Sequence, residues 1–524
     1  MDSPGEASRP LHQRPYVVLA IVAFGVFVAA HDLTVVSTML PQMIFDFQIP
    51  VPAGLDDAAW IVSGYLIAYT ITMPVMGRVS DVSGRRPVYI GGLALFAVGS
   101  LMVPMASTLP MLIGARVVQA LGGGAIVPVA MAAVGDLFPV QRRAFAVGLL
   151  GAVDTMGWIS GPMYGALIVR YGPDVGAWLA GRWPALAPLA KWGWQWQFYM
   201  NVPVSLLAIW LAWWGLAGLK PLPARRLRSL DWGGALLLTV GLVALNVGLS
   251  KTGGQAAVSP TFDFSEAGGS SLSRVLPWLA GGGLGLAMFS LVERRTAQPL
   301  IHPDMFRQRN FTLACMVNFV VGFVLIVAMV DVPLFVNTVL ARGSSLNDLL
   351  RDAALQSGEI LTALTVAMAA ASVAGGWLCG RFGYRLPSLA GLLMVAAAFG
   401  LMSRWEPAQS QAPMALHLAL AGLGFGLVIS PVGTATIDAV VAELRGVASG
   451  LVLILRLIGM SVGLSALTAW GLHRFEELSL PYRVTELEQV VGAITTQVLG
   501  ETFLAAALMA LLGVALAAGL HRRV

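Results

Sequence analysis

Fourteen stretches of mostly apolar residues, each about as long as a bilayer core requires of a helix, constrain this chain more than any other feature. Their limits are 16–39, 57–77, 88–108, 110–136, 143–170, 198–219, 231–250, 274–292, 310–340, 354–379, 387–403, 413–436, 446–473 and 497–520. Charged residues make up 11% and hydrophobic residues 57%. A soluble surface cannot be built from so few charges, so the expected fold is an all-α polytopic membrane protein. The first stretch is too long for a signal-peptide core and no small-residue cleavage site follows it, so it is expected to be retained.

Lys and Arg set the expected orientation. With both termini cytoplasmic, basic residues outnumber those of the outer loops roughly two to one, as the positive-inside rule requires. Arg85, Arg86, Arg142, Arg143, Arg225, Arg226, Arg228, Arg294, Arg295, Arg522 and Arg523 all fall inside. The net charge of +5 is thus dispersed as topology information, and no nucleic-acid partner is expected. The two cysteines, Cys315 and Cys379, exclude a disulfide scaffold and a Cys-rich metal site.

A repeat divides the chain. The loop after the second span reads Gly77-Arg-Val-Ser-Asp81-Val-Ser-Gly84-Arg85-Arg86, and the loop after the tenth reads Gly376-Trp-Leu-Cys-Gly380-Arg-Phe-Gly383-Tyr-Arg385. Glycines recur at the first and eighth positions and an arginine at the tenth, while Gly380 replaces Asp81. Two six-helix halves are expected, 1–219 and 306–524, with 220–305 as a linker holding two further spans. Glycines in so short a loop permit a tight turn, and a carboxylate at Asp81 favours a nearby helix N-terminus.

The first loop resembles the signature loop of the major facilitator superfamily. The stretch 112–125, with Arg116, Gln119 and Gly122 to Gly124, is similar to that family's helix-4 motif. Gly157, Gly161, Pro162 and Gly165 resemble the helix-5 motif of exporters, with Ala166 where a last glycine is usual. Small residues four apart also serve plain helix packing. The run from Trp194 through Asn201 to Pro203, then Asp231-Trp232-Gly-Gly, then Glu293 to Leu300, resembles the 14-helix drug:proton antiporter subfamily. The resemblance implies a proton-coupled secondary transporter in a bacterial inner membrane, working by alternating access of two bundles, monomeric, and driven by the proton gradient without a cofactor.

Charges at bilayer depth cost about 2.5–3.5 kcal/mol each on insertion scales, so each is a functional candidate. Five are found: Asp32, Arg116, Asp154, Asp331 and Arg456. Asp154 and Arg456 each lie about 15 Å from the inner face by helical rise, one in each half and opposite in sign. They are expected to pair, either as a static tie or as a switch released by protonation or substrate. Asp32 and Arg116 have compatible depths, and the resemblance gives such a pair a role in proton coupling. Asp331, without a matching base, is a further candidate for taking up a proton, unless it reaches outer water. His31 beside Asp32 suits a packed histidine or a proton relay.

Two outer segments stand out. Residues 171–196 form a long connection with five tryptophans, suited to anchoring at the interface or to guiding a lipophilic substrate. In 484–498 apolar residues keep helical spacing, predicting an amphipathic helix that runs straight into the last span. Extended final helices, with acids in the first and fifth spans and Arg456, resemble a mycobacterial group of triacylglycerol-exporting transporters that work with an outer-side lipid-carrying lipoprotein. The substrate implied is a lipophilic small molecule or lipid drawn from membrane lipids. An importer of the same fold and a non-transporting sensor are the rivals. No enzyme is expected, for neither a Walker A loop nor a His-Glu-x-x-His run is found.

Overall fold

A computed structural model describes residues 14–49, 55–183, 192–218, 231–249, 272–296, 299–340, 346–407, 410–482 and 484–521. The segments bearing Arg225, Arg226, Arg228, Arg522 and Arg523 lie outside these. Among the described residues the fold is helical, without strands. The helices are α1 (Pro15–Asp46), α2 (Leu55–Ser83), α3 (Arg85–Met102), α4 (Leu109–Leu137), α5 (Val140–Arg182), α6 (Gln195–Gly215) and α7 (Trp232–Leu249). They continue as α8 (Leu272–Glu293), α9 (Arg309–Phe335), α10 (Leu346–Phe382), α11 (Arg385–Met402), α12 (Gln411–Asp438), α13 (Arg445–Ser479) and α14 (Val484–Ala518). Fourteen are long and apolar enough to span a bilayer, one for each stretch read from the sequence.

The breaks between helices have local causes. Pro15 and Pro110 open α1 and α4, where a missing N–H costs nothing, and Thr108 caps α4 by accepting from Met111 N–H. Gly84 (φ 95°) separates α2 from α3, and Gly383 (φ 78°) separates α10 from α11. These are the eighth positions of the repeated loop, and each holds a backbone conformation that glycine adopts without penalty.

Packing falls into two compact units. The first comprises Met1–Pro139, Val153–Leu230 and Val441–Gly450; the second comprises Val140–Ala152, Asp231–Val440 and Leu451–Val524. In the first, α4 packs on α1, α2 and α3, and α6 on α1 and α3. In the second, α12 packs on α9, α10 and α11, and α14 on α9 and α11. The pattern of the first six helices thus recurs in the last six. The linker helices α7 and α8 pair with each other in the second unit.

The segment 171–196 differs from expectation. Its first part is no loop: α5 runs on to Arg182, through the helix-favouring Ala177, Leu179 and Ala180. Residues 184–191 lie outside the described part. Trp178 and Trp183 are exposed, as an interface belt requires, but Trp194 is only 2% exposed. It fills a core with Val35, Met39, Ile61, Leu112 and Phe198.

Candidate functional site

The first unit holds a buried polar cluster in an apolar interior. Asp32 on α1 and Arg116 on α4 are 0% and 1% exposed. Arg116 Nη1 donates to Asp32 Oδ2 at 2.7 Å and to Gln119 Oε1 at 2.5 Å. Asn201 Nδ2, on α6, donates to Asp32 Oδ1 at 2.6 Å. Gln119 Nε2 donates in turn to Ser100 Oγ on α3 at 2.8 Å, and Gln197 Nε2 to Asn201 Oδ1 at 3.2 Å. The guanidinium carbon lies 4.0 Å from the Tyr65 ring centroid and 5.6 Å from that of Phe198. Three helices thus supply the ion pair and its direct partners, α3 joins through Gln119, and α2 supplies an aromatic face. Both carboxylate oxygens are engaged, and charge-assisted bonds of this kind offset the desolvation of a buried pair.

His31, beside this cluster, also reaches α5. Its Nδ1 lies 3.0 Å from Ser160 Oγ, and its ring packs with Phe27 and Tyr164. The helix-5 motif is the surface it meets. A Cβ at Gly157 would strike Ala30, one at Gly161 would strike Thr34 Oγ1 and the His31 carbonyl, and one at Gly165 would strike Thr38 Oγ1 and the Val35 carbonyl. Thr34 Oγ1 also donates to the Trp158 carbonyl at 2.9 Å. The glycines let the backbones of α1 and α5 touch along three turns.

Asp154 lies half-buried on α5 in the first unit, and Arg456 half-buried on α13 in the second. In the second unit Asp331, near the end of α9, accepts from the buried Thr502 Oγ1 of α14 at 2.9 Å. Among the described residues no ion pair is found at Asp331.

The two repeated loops organise a second set of charges. Asp81 is bonded to Arg85 and accepts from the N–H groups of Gly446 and Val447 at 2.8 and 3.0 Å, so it caps the start of α13. Gly77 lies against Gly446, with no room for a side chain at either. Arg85 Nε and Arg445 Nη1 both reach Asp136 at the end of α4, at 3.0 and 2.8 Å. Arg86 Nη2 donates to the Trp213 carbonyl at 2.7 Å.

In the second unit Asp438, at the end of α12, pairs with Arg143 of α5 and accepts from Tyr384 Oη at 2.7 Å. Gly376 lies against the Ala144 carbonyl, to which Ser430 Oγ also donates at 2.7 Å. The acid closing the fourth helix of one repeat therefore takes the arginine opening the fifth helix of the other. Asp136, Asp438 and Tyr384 are absent from the site read in the sequence. The signal was present as a repeated Asp-x6-Arg spacing, Asp136 to Arg143 and Asp438 to Arg445.

Comparison with known proteins identifies the family. The model of the Major Facilitator Superfamily matches residues 22–464. A triacylglyceride transporter of Mycobacteroides abscessus is 32% identical over 90% of this chain and 85% of its own length. Multidrug resistance protein 3 of Bacillus subtilis is 28% identical over 86% of this chain and 78% of its own. The human organic anion transporter MFSD10 (TETRAN) shares the fold at a TM-score of 0.59 and 14% identity, covering 96% of this chain and all of that one. The proton:xylose symporter XylE shares it at 0.54 and 14% identity, covering 94% of each chain. With its repeated loops, recurrent packing and a family match across most of its length, the chain belongs to the major facilitator superfamily of membrane transporters.

Proposed function

We propose that this transporter exports lipophilic or amphipathic compounds, lipid foremost, in exchange for protons. The observation that carries the proton coupling is the Asp32–Arg116 pair, wholly buried and held by Asn201 and Gln119. A carboxylate paired with one cation at bilayer depth is a place where proton uptake would change the local charge from balanced to positive. Protonation would free Arg116 and loosen the bonds joining α1, α4 and α6. Asp331, bonded to a neutral hydroxyl, is a second place for a proton.

The coupling partner across the halves is the proposed Asp154–Arg456 pair. In this reading the bundles 1–219 and 306–524 rock about it, with 220–305 as an accessory pair of helices. Gly77, Asp81, Gly84, Arg85 and Arg86 tie the cytoplasmic side, both termini lying there in a bacterial plasma membrane. Sparse polar residues in the spans favour an apolar substrate over a sugar-like one. The relatives named as triacylglyceride transporters and the extended α13 and α14 support lipid over drug. A lipoprotein receiving lipid on the outer side is part of the same reading.

Proton flux and substrate efflux in proteoliposomes, run with a panel of drugs and triacylglycerols, test the proposal. Acidification coupled to triacylglycerol release is the expected result. Substrate-independent silence would favour a sensor, and coupled uptake of a polar solute would favour an importer.

A further inference from the structure

At the end of the first unit opposite the repeated loops, a cavity of about 590 Å³ opens among the last turn of α1, the α3–α4 connection and the start of α6. Its polar lining comes from Asp46, Gln48, Ser107, Thr108, Trp194 and Gln195. The size is that of an ordinary small-ligand site.

Three observations give the cavity a chemistry. Among the described lining residues Asp46 carries the single formal charge, and none is Lys or Arg. It ends α1, where the helix dipole is itself negative and the last turn holds no base. Trp194 Nε1 donates to Asp46 Oδ2 at 2.8 Å, and this deeply buried indole fixes the carboxylate in place. The cavity therefore attracts a cation.

A complementary polar group stands nearby. Gln195 spends its Oε1 on the Gly193 N–H at 3.0 Å, which leaves its amide N–H2 as a donor. With the Ser107 hydroxyl, which donates to Met111 Sδ at 4.0 Å, it suits an anionic oxygen. The rest of the lining includes the apolar Phe47, Pro104 and Leu109, and their sequence neighbours Phe45 and Met105 are 82% and 62% exposed.

Gln48 adds an independent sign. Its φ of 52° is the only positive value outside glycine among the described residues. It stands past the end of α1, where the Ile49 N–H reaches back to the Ile44 carbonyl, a position that glycine usually fills. A glutamine held there costs about 1 kcal/mol, and such strain collects at ligand sites.

We infer that this cavity binds the phosphoethanolamine headgroup of a membrane phospholipid, its ammonium on Asp46 and Gln48, its phosphate toward Gln195 and Ser107, and its glycerol against Phe45 and Met105. A headgroup free in solution has the same charges but nothing for these apolar residues. Helix ends at headgroup depth favour the lipid. The inference is independent of the exported substrate and of the proton pathway.

Native mass spectrometry of the purified transporter, titrated with dioleoyl phosphatidylethanolamine, phosphatidylcholine or phosphatidylglycerol, tests it. The parent protein should retain one phosphatidylethanolamine about tenfold more tightly than either other lipid, and Asp46→Asn should abolish that preference. Gln48→Gly relieves the left-handed strain, so it should unfold no more readily than the parent yet bind phosphatidylethanolamine less tightly. Phe45→Ser should weaken lipid retention, and soluble O-phosphoethanolamine should bind far more weakly than the lipid. Equal retention of phosphatidylethanolamine and phosphatidylcholine, or an unchanged preference in both Asp46→Asn and Gln48→Gly, overturns the site. Soluble headgroup binding as tight as the lipid overturns the lipid assignment.

Discussion

At the scale of single residues, the consequential fact is that Asp32 and Arg116 have no water to fall back on. Deleting one member of a buried pair strands the other, at about 3–5 kcal/mol. Arg116→Ala should therefore lower the thermal unfolding midpoint in detergent as well as stop transport. Asp32→Asn is gentler, since an amide keeps the volume and its one oxygen still accepts from Arg116, although its NH2 group then replaces the oxygen that accepts from Asn201. It should insert and fold but lose proton-coupled transport in proteoliposomes, while Asp331→Asn should shift the pH dependence of transport. Unchanged coupling in Asp32→Asn would move the proton site elsewhere, with Asp154 next in line. Asp154→Ala and Arg456→Ala should each reduce transport strongly; two normal single variants would remove the proposed switch. Asp32 and Arg116 were legible because a charge within an apolar run stands out by its cost. Asn201, Gln119, Ser100 and Tyr65 were not, since neutral polar residues occur throughout such spans and only the fold decides which meet. Trp194 misled for the opposite reason: among four other tryptophans in one segment it read as an anchor, yet it is core.

At the scale of elements, fourteen helices followed from length and hydropathy because the bilayer leaves the backbone no other partner than itself. Ends were harder to read. The continuation of α5 to Arg182 passes Pro173, a residue that argues for a break. The helix-5 glycines had two readings in the sequence, and the fold supplies at least one of them: they let α1 and α5 approach to backbone contact. Gly161→Val tests how much depends on that contact. Its side chain would meet Thr34 Oγ1 and the His31 carbonyl, and a backbone carbonyl cannot swing aside as a side-chain tip can. A cost of about 1–3 kcal/mol is expected, read as a lowered unfolding midpoint. Gly114→Val, where a Cβ meets nothing, should leave the midpoint unchanged.

At the scale of the whole molecule, the repeat explains why the charges are crossed. A carboxylate from one six-helix set pairs with an arginine from the other, twice over; under the proposed alternating access, these are pairs to be broken and remade. The Asp-x6-Arg spacing was visible, but its crossed pairing was not, because nothing local in the sequence tells which arginine an acid will meet. Orientation can be tested directly. A single cysteine at position 225 should be shielded from an impermeant thiol reagent in intact cells, and one at 268 should react; the reverse pattern would invert the topology. The remaining question is what the extended ends of α13 and α14 are for. Each helix has 35 residues, about 52 Å at helical rise against a hydrocarbon core of about 30 Å. Arg474 of α13 clasps Glu501 of α14 at 3.0 Å and Glu477 at 2.7 Å, so the two helices are tied close to the end of α13. Beyond that clasp Ile494 and Val498 are buried, so part of the apolar stripe is already covered by the protein itself. Mutual packing and a track for acyl chains both remain compatible with such a stripe, and shortening separates them. Since α13 ends at Ser479, two residues past Glu477, the turns to remove are those of α14 between Val484 and Ile494, which leaves the clasp and the buried residues intact. Folding and efflux of a small drug should then persist, because neither needs a surface outside the bilayer. Lipid export should fall, because acyl chains leaving the membrane would meet water without cover. If the shortened transporter releases triacylglycerol as fast as the parent, the extensions serve packing alone and the drug-exporter reading takes the place of the lipid one.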